Sequence, residues 1–529
     1  MRTRLALAAG VCLVALAVQR VHANDEDLAS LSIDVVKHEL QNGMTVLMVE
    51  RHDTPTVATY LQFNVGGVDD PKGQTGIAHL LEHMMFKGTE TFGTSDYQAE
   101  KPLMAKLDQL WAELDAELAS SHSPFHQTDA AKIASLRQQI EDVTAEQKRS
   151  IIKNELWQAY QRLGGRGLNA STGDDSTQYY VQLPKNQLAV WAYLESDRLA
   201  NPVFREFYSE RDVVHEERRM RTDTQPMARF SEAFQCLAYA AHPYRNPVVG
   251  WPSDIDATVR AEVLEYFKTY YAPNNCVAAL VGDIDPAATI ALMEGTFGKI
   301  PAKAPPRRNI TEEPVQVGER RLTMRLDSAP MLRLAYPVPA AGHQDSYALT
   351  VAARVLSGTS GFGGGFGGWR GRRGGTSSGR LSKSLVVEKK IALNASANVS
   401  FGRYPGLFNF NATPAPETTL AGLEDALKGE IERLRNEPPT EEELARVRNA
   451  EDAAFVRRLR TNNGIAAAIV RAETLAGDWR HLLVERDKIK QVTAEDVARV
   501  VGQYLVSEHC TVGWLEGTES AFGGQEVQR

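Results

Sequence analysis

Two passages decide the fold: SDIDATVRAEVLEYFKTYYAPNNCVAALVGD at residues 253–283 and RDKIKQVTAEDVARVVGQYLVSEHCTVGWLEG at residues 486–517. They match without a gap at one constant offset, which pairs Cys276 with Cys510. In each passage apolar residues first recur at helical spacing and then run on continuously, which predicts a helix followed by a buried strand. We therefore expect two copies of one α/β unit.

The sequence between the two copies predicts the domain boundaries. A Pro-rich, charged segment, 301–318, has the composition of a linker, which separates an N-terminal domain, 24–300, from a homologous C-terminal domain, 319–520. Two segments interrupt this plan. Leucines and isoleucines at helical spacing predict an inserted helical hairpin at 102–160. A glycine-rich stretch, 358–379, has too few apolar residues to form a core and is predicted to be a loop.

The N-terminus has the pattern of an export signal. Two arginines precede the apolar run LALAAGVCLVALAV, and Val-His-Ala follows, ending at Ala23. We therefore expect residues 1–23 to be a signal peptide and the mature chain to be exported, to the periplasm or the medium of a bacterium. An uncleaved anchor is the alternative, although the run is short for a membrane span. A net charge of -8 gives no basic face for nucleic acid.

The stretch GIAHLLEHMMFKGT, residues 76–89, contains the candidate chemistry. On a helix, His79 and His83 lie one turn apart on one face, so both imidazoles can reach one metal ion. A hydrolytic zinc site needs a third protein ligand and a carboxylate beside the attacking water. Glu82 is placed for that second task. The motif is H-x-x-E-H, the inverted form of the metalloprotease H-E-x-x-H.

This stretch resembles the signature of the insulinase and pitrilysin peptidases. The similarity continues through GLNASTGDDSTQYYVQLP, DRLANPVF, ERDVVHEERR, HPYRNPVVG and YAPNNCVAALVGDID. It is closest to the branch of the mitochondrial processing peptidases and their bacterial relatives. The resemblance implies an α+β fold of two homologous units, each an antiparallel-rich sheet packed with helices, which together form half of a clamshell. It also implies a zinc metalloendopeptidase that cleaves peptides or unfolded segments in an enclosed chamber.

Site residues follow from the resemblance position by position. His79 and His83 would bind one Zn²⁺ per chain, with Glu82 as the general base. In the family the third ligand is a glutamate seven residues after another acidic residue, which makes Glu217 the ligand and Glu210 its supporting partner. The adjacent Glu216 is the alternative. Seven residues are two helical turns, so Glu210 and Glu217 share a face that Glu216, about 100° away, does not.

The resemblance also implies how substrate is held. The stretch Asn169, Ala170, Ser171 and Thr172 matches an exposed edge strand of the family, to which a peptide adds as a further strand. Main-chain hydrogen bonds then hold the peptide, so cleavage can tolerate varied side chains.

A departure from the family pattern concerns the second half. Active full-length relatives have an Arg, and a Tyr seven residues later, that bind the substrate carbonyl, where this chain has Val386 and Leu393. Neither side chain can donate a hydrogen bond to an oxyanion. We therefore expect this chain to be the zinc-bearing subunit of a heterodimer whose related partner supplies the pair. The alternative function is a non-catalytic scaffold or assembly subunit with the same fold.

Overall fold

The computed structural model describes residues 33–120, 129–358 and 378–518. The predicted signal peptide, 1–23, lies outside these ranges, as does all but the ends of the predicted glycine-rich loop, 358–379. Among the helices of the described ranges, none is both long enough and apolar enough to cross a membrane.

The strands form two mixed sheets. The first sheet has six strands in the order β1-β2-β6-β3-β5-β4, and the second has five in the order β7-β11-β8-β10-β9. The strand bounds are β1 Val36–Glu39, β2 Thr45–Glu50, β3 Thr56–Phe63, β4 Arg166–Thr172, β5 Thr177–Pro184, β6 Cys276–Gly282, β7 Arg320–Leu326, β8 Met331–Val338, β9 Ala392–Ser400, β10 Gly406–Pro414 and β11 Thr511–Gly517.

Helices accompany both sheets. In the first half they are α1 Ile77–Met84, α2 Tyr97–Ser120, α3 Ala130–Gln147, α4 Glu155–Arg162, α5 Leu188–Ala200, α6 Phe207–Arg218, α7 Pro226–Ala238, α8 Pro252–Ala257, α9 Arg260–Tyr270 and α10 Pro286–Gly295. In the second half they are α11 Asp345–Ser357, α12 Leu420–Asn436, α13 Glu441–Leu459, α14 Asn462–Ala476, α15 His481–Gln491 and α16 Ala494–Tyr504.

The two sheets repeat one topology, as the sequence predicts. Strands β2, β6, β3, β5 and β4 have the same order and the same parallel or antiparallel senses as β7, β11, β8, β10 and β9. The helices α9 and α16, which precede the matching strands β6 and β11, begin and end at equivalent residues. Strand β1 is an addition at the edge of the first sheet. The fold is thus α+β with two homologous units.

Each half covers its sheet with its own helices and receives one helix from the other half. Helix α14 packs on β3 and β6 of the first sheet, while α7 packs on the second sheet at β7 and β11. Two large apolar cores lie beneath the sheets' own helices. A smaller cluster joins the halves, with Phe234 of α7 and Leu407 of β10 among its buried members.

The predicted helical hairpin is present between α1 and β4. Helices α2 and α3 pack against each other, because Leu107, Leu110 and Leu114 of one helix and Leu136 and Ile140 of the other join the first core. The first helix begins at Tyr97, before the predicted boundary at residue 102. The domain boundaries themselves stay a prediction, although residues 301–317 contain neither helix nor strand.

Candidate metal centre

Helix α1 carries the H-x-x-E-H motif into the interior. Its apolar residues, Ile77, Leu80, Leu81 and Met84, are buried in the first core, which fixes the helix against the sheet. His79 is 8% exposed and Glu82 is 9% exposed. The two imidazole rings are 4.8 Å apart between centroids, as expected for residues one turn apart.

A glycine sets the entry of this helix. Gly76, with φ of 89°, lies against the segment at Val249 and Gly250, where a Cβ would come within 2.6 Å of the Val249 carbonyl oxygen. Any larger residue would strain the backbone and force the two segments apart. The Asp70 carboxylate accepts hydrogen bonds from the N–H groups of Gly76 and Ala78, so the first turn is anchored before the motif begins.

Helix α6 brings a third acidic side chain to the two histidines. The Glu217 Oε2 atom is 3.3 Å from Nε2 of His83 and 3.7 Å from Nε2 of His79. Glu216, the alternative ligand, points away: its side chain is 58% exposed and pairs with Arg219 at 2.7 Å. The structure therefore brings together His79, His83 and Glu217, whose candidate ligand atoms lie within 4.8 Å of one another.

The donor set fits zinc. Two imidazole nitrogens and one carboxylate oxygen are the ligands of known catalytic zinc sites, which leave a fourth position open. Ligand atoms at the usual zinc distances from one tetrahedral ion lie about 3.3–3.6 Å apart, close to the two separations from Glu217 Oε2. Among the described residues, this is the single group of at least three His, Cys, Asp or Glu side chains whose ligand atoms lie close enough together to hold one metal ion.

Two of the three candidate ligands have the charge state that binds a cation. Burial, and then the neighbouring His83, lower the pKa of His79 to about 4, so its imidazole is neutral at pH 7. Burial opposes ionisation of Glu217, but hydrogen bonding to His83 and the charges of His79 and Arg221 lower its pKa to about 2. For His83 burial acts downward, whereas Glu210 and Glu217 together raise its pKa to about 9. A neutral imidazole and a carboxylate are the forms that coordinate zinc, so His79 and Glu217 are ready to bind, whereas His83 would release a proton when the metal binds.

Glu210 orients His83. Its Oε1 atom is 2.9 Å from Nδ1 of His83, which leaves Nε2 to face Glu217. Its other oxygen pairs with Lys87 Nζ at 2.5 Å. Burial alone would raise the pKa of Glu210, but hydrogen bonds from His83 and Lys87 lower it. A carboxylate behind a histidine ligand fixes the ring and increases its basicity.

Glu82, the acidic residue of the motif, contacts the edge strand β4. Its Oε2 atom accepts a hydrogen bond of 2.6 Å from the Thr172 hydroxyl. Burial raises the pKa of Glu82, and the Thr172 hydrogen bond acts in the opposite direction. A carboxylate held in one orientation with a raised pKa is suited to accept and return a proton near neutral pH.

The predicted peptide-binding residues lie on the free edge of the first sheet. Among the described strands, β4 pairs with β5 alone, so its outer main-chain groups are open to a further strand. Asn169 is exposed and Ser171 partly so, while Ala170 and Thr172 face the core. The Thr172 side chain therefore points inward, where it contacts Glu82.

The two residues at the predicted Arg and Tyr positions have no polar side-chain group. Val386 is partly buried against the second core, in a short π-helical segment at Ser382–Glu388. Leu393 lies on β9 and is 61% exposed. Neither position offers a hydrogen-bond donor beyond its main chain.

Sequence reasoning missed two cations at the site. Lys87 pairs with Glu210, and Arg221 Nη1 is 2.6 Å from Glu217 Oε1. Arg221 follows Glu217 by four residues, a spacing that predicts an ion pair on a helix. Lys87 likewise follows His83 by four residues and lies beyond the end of α1. The sequence could thus have indicated Arg221 as the partner of Glu217, whereas the pair of Lys87 and Glu210 joins distant segments and has no local signal.

Two family descriptions match the chain. "Insulinase (Peptidase family M16)" covers residues 45–105, which include the H-x-x-E-H motif. "Peptidase M16 inactive domain" covers residues 258–451.

Individual relatives agree with these matches. Zinc protease PqqE of Helicobacter pylori is 25% identical over 492 residues, which are 91% of this chain and 93% of that protein. The mitochondrial-processing peptidase subunit beta of Lentinula edodes is 22% identical over 478 residues, 88% of this chain and 86% of that protein.

Solved structures share the fold. A protease from Helicobacter pylori has a TM-score of 0.73 at 23% identity, covering 92% of this chain and 100% of its own. The periplasmic protease PqqL from Escherichia coli has a TM-score of 0.66 at 17% identity, and the match covers 93% of this chain but 49% of PqqL. PqqL is thus about twice the length of the region that it shares with this chain.

Fold and motif together define a two-unit α+β protein of the inverted-motif metallopeptidase class. The chain belongs to the M16, or insulinase-like, peptidase family and is homologous to bacterial zinc protease PqqE and to mitochondrial-processing peptidase beta.

Proposed function

We propose that this protein is a zinc-dependent endopeptidase that cleaves peptides or unfolded segments. The observation that carries the proposal is the convergence of His79, His83 and Glu217 within 4.8 Å, beside the buried Glu82. Zinc would be held by these three side chains, and when bound it supplies Lewis-acid polarisation of the substrate carbonyl and of the attacking water.

The residues around that centre have separate tasks. Glu82 takes the proton of the attacking water and returns it to the leaving amine. Thr172 holds the Glu82 carboxylate through the hydrogen bond of 2.6 Å, so its free oxygen keeps one direction. Glu210 holds His83 through Nδ1 at 2.9 Å. Lys87 in turn holds Glu210.

Substrate enters as a strand. The edge strand β4, with Asn169, Ala170, Ser171 and Thr172, offers main-chain groups to an extended peptide. Thr172 of β4 contacts Glu82 and also Thr177 of the adjacent strand β5. A peptide that binds along β4 therefore lies close to the proposed base, Glu82. Recognition by main-chain hydrogen bonds predicts broad tolerance of side chains.

Oxyanion stabilisation is supplied from outside this chain in our proposal. Val386 and Leu393 have no side-chain donor, and the loss of one oxyanion donor costs about 10²–10³ in turnover. PqqL, which is about twice as long as its shared region, supports a pairing of two such units within the family. We propose that a related subunit with an Arg and Tyr pair completes the site, in the periplasm after removal of residues 1–23.

Replacement of Glu82 by Gln tests the function. The amide of the new side chain cannot accept the proton, so cleavage of an unfolded peptide should fall by about 10²–10⁴, while zinc content stays at one per chain. Turnover and metal analysis on the purified complex measure the two quantities. The matched control is Glu216→Gln, an exposed carboxylate one helix away that should leave both unchanged.

The scaffold alternative gives a different result. A non-catalytic subunit would show no cleavage that depends on Glu82, with or without a partner. Full turnover by the purified chain alone would instead disprove the heterodimer while retaining the zinc peptidase.

A further inference from the structure

The second sheet presents a polar strip on the face that receives helix α7. On β9 and β10 this face contains Asn394, Ser396, Asn398, Asn411 and Thr413, all exposed or partly exposed. They alternate along the strands with the buried residues Ala395, Ala397, Phe410 and Ala412, as strand geometry requires. These five side chains offer amides and hydroxyls, and none of them is acidic.

Arg333 lies at the inner end of this strip. Strand register places it opposite Asn411 of β10 on one side and opposite Gly513 of β11 on the other. Asn411 in turn lies opposite Ser396 of β9. Directly opposed residues project to the same face of a sheet, so Arg333, Asn411 and Ser396 form one row that runs towards the free edge.

The guanidinium of Arg333 has no anionic partner within the described residues. Its carbon atom lies 4.6 Å from the centroid of the Phe234 ring, and its Nε atom is buried without a hydrogen-bond partner. The three arginines of β7, two strands away in the sheet, differ: Arg320 pairs with Glu313, Arg321 with Glu424, and Arg325 with Glu516.

A guanidinium without an anion in this position is costly. Arginine has five N–H donors and stays charged. Stacking on Phe234 covers one face of the guanidinium and provides no acceptor for these donors. Burial lowers the pKa of Arg333 to about 10. The nearby Asn409 Oδ1 atom is also buried and unpartnered. The row therefore has unused donors, and an unused acceptor lies in the adjacent row.

The turn that joins the two strands of the strip contacts the turn that follows the proposed substrate-binding edge. The turn between β9 and β10 contacts the turn between β4 and β5, where Asp175 Oδ2 accepts a hydrogen bond of 2.8 Å from the Arg403 N–H. Asp175 follows Thr172 by only three residues. A peptide longer than the β4 edge can thus continue towards the strip.

We propose that Arg333, together with Asn411 and Ser396, binds a carboxylate of the peptide substrate, either its C-terminal group or the side chain of an Asp or Glu. This inference rests on the proposed peptidase function and names a recognition element that the zinc site lacks. A carboxylate matches the fork of the guanidinium, and the amides of the strip suit the peptide main chain.

The test measures binding separately from cleavage. The Glu82→Gln complex is titrated with a fluorescein-labelled peptide of Ala, Val and Gln in three forms: with a C-terminal carboxylate, with a C-terminal amide, and with the amide plus one internal Glu. We expect at least one anionic form to bind about tenfold more tightly than the neutral amide. Which form gains affinity distinguishes the two sources of the carboxylate.

Variants assign the preference to Arg333. Arg333→Met keeps most of the side-chain volume and should remove the preference, and Arg333→Lys should retain part of it. Arg325→Met, which removes an exposed arginine already paired with Glu516, is the matched control and should keep the preference. Circular dichroism reports whether each variant folds.

The outcomes separate the two proposals. Equal binding of all three peptides to folded Glu82→Gln protein overturns the carboxylate site and leaves the peptidase proposal standing, as does a preference that persists in Arg333→Met. If no peptide binds and the unmodified protein cleaves none, the peptidase proposal fails and this inference fails with it.

Discussion

The two sheets share one strand order, yet only the first is equipped for metal chemistry among the described residues. Helix α1 carries His79, Glu82 and His83, whereas α11, the helix that follows the matching strand β8, has an almost wholly apolar buried face. Strand register makes Val399 the counterpart of Thr172, because they pair with Phe408 and Thr177 at equivalent positions. The fold therefore supplies positions, and a few side chains decide the chemistry.

The opposite faces of the two sheets differ as well. The row of Arg333, Asn411 and Ser396 is equivalent to Tyr60, Tyr180 and Asn169 in the first sheet. Tyr60 and Tyr180 stack at 5.0 Å, and the Tyr60 hydroxyl donates to Asn463 of the covering helix. In the first half the row is thus closed by its own contacts. In the second half it ends in a cation that no described carboxylate neutralises.

The largest expected effect is that of removing Glu217, the proposed third ligand, which has no counterpart at a metal site of the second half among the described residues. Glu217→Gln replaces a carboxylate by a weak amide donor, so zinc affinity should fall by more than about 100-fold, beyond the loss seen for supporting residues. Competition with a chromophoric chelator measures it. Glu216→Gln, on the next position of the same helix but exposed, should leave affinity unchanged. Equal losses in both variants would disprove the assignment of Glu217.

The next effect concerns the carboxylate behind His83. Glu210→Gln keeps the size of the side chain but weakens its hold on Nδ1 of His83, so zinc affinity should fall by about 10–100-fold. The same chelator assay measures this, with Asp212→Asn as the control, since Asp212 is exposed on the same helix. An unchanged affinity would mean that packing alone orients His83.

The two-unit fold and the metal-site helix could be predicted from the sequence, because the passages repeated at residues 253–283 and 486–517 are long. The match of Cys276 with Cys510 predicted the two units, and the i, i+4 spacing of His79 and His83 predicted a shared face. The family resemblance implied Glu217 as the third ligand, and its seven-residue spacing from Glu210 favoured it over Glu216. These features depend on the repeat, on local spacing and on the resemblance, all of which are visible in the sequence.

Other features depend on contacts between distant segments. The hydrogen bond from Thr172 to Glu82 joins a strand to a helix, and whether Arg333 has an anionic partner depends on which side chains the sheet brings near it. Exchange of α7 and α14 between the halves has no local signature either. Tertiary arrangement decides all three, so sequence pattern could not predict them.

Conversion of a first-half residue to its second-half counterpart gives a smaller effect. Thr172→Val removes the donor to Glu82, so the base loses its fixed orientation and turnover should fall about tenfold. Because that hydrogen bond lowers the pKa of Glu82, the acidic limb of the pH–rate profile should move to higher pH. Steady-state kinetics across pH measure both. Ser171→Ala, on the opposite face of β4, is the control; an unmoved limb would refute the role of Thr172.

The smallest expected effect on activity is at the junction of the halves, where Asp174 lies in the β4–β5 turn. Burial, and then the adjacent Asp175 carboxylate, raise the pKa of Asp174 to about 7, whereas an unfolded chain gives about 3.9. Between these values the folded protein keeps a proton that the unfolded chain has lost, so stability declines as pH rises through this window.

Asp174→Asn removes that titration. Its free energy of unfolding should decline by up to about 3 kcal/mol less than that of the unmodified protein between pH 4 and pH 7, as measured by urea unfolding at both pH values. Asp175→Asn should have the opposite effect and lower stability, because Asp175 accepts hydrogen bonds from the Tyr244 hydroxyl and the Arg403 N–H. Parallel pH curves for the unmodified protein and Asp174→Asn would show that Asp174 ionises freely. The two adjacent carboxylates would then contribute to the junction only through Asp175, which directly joins the first half to the second.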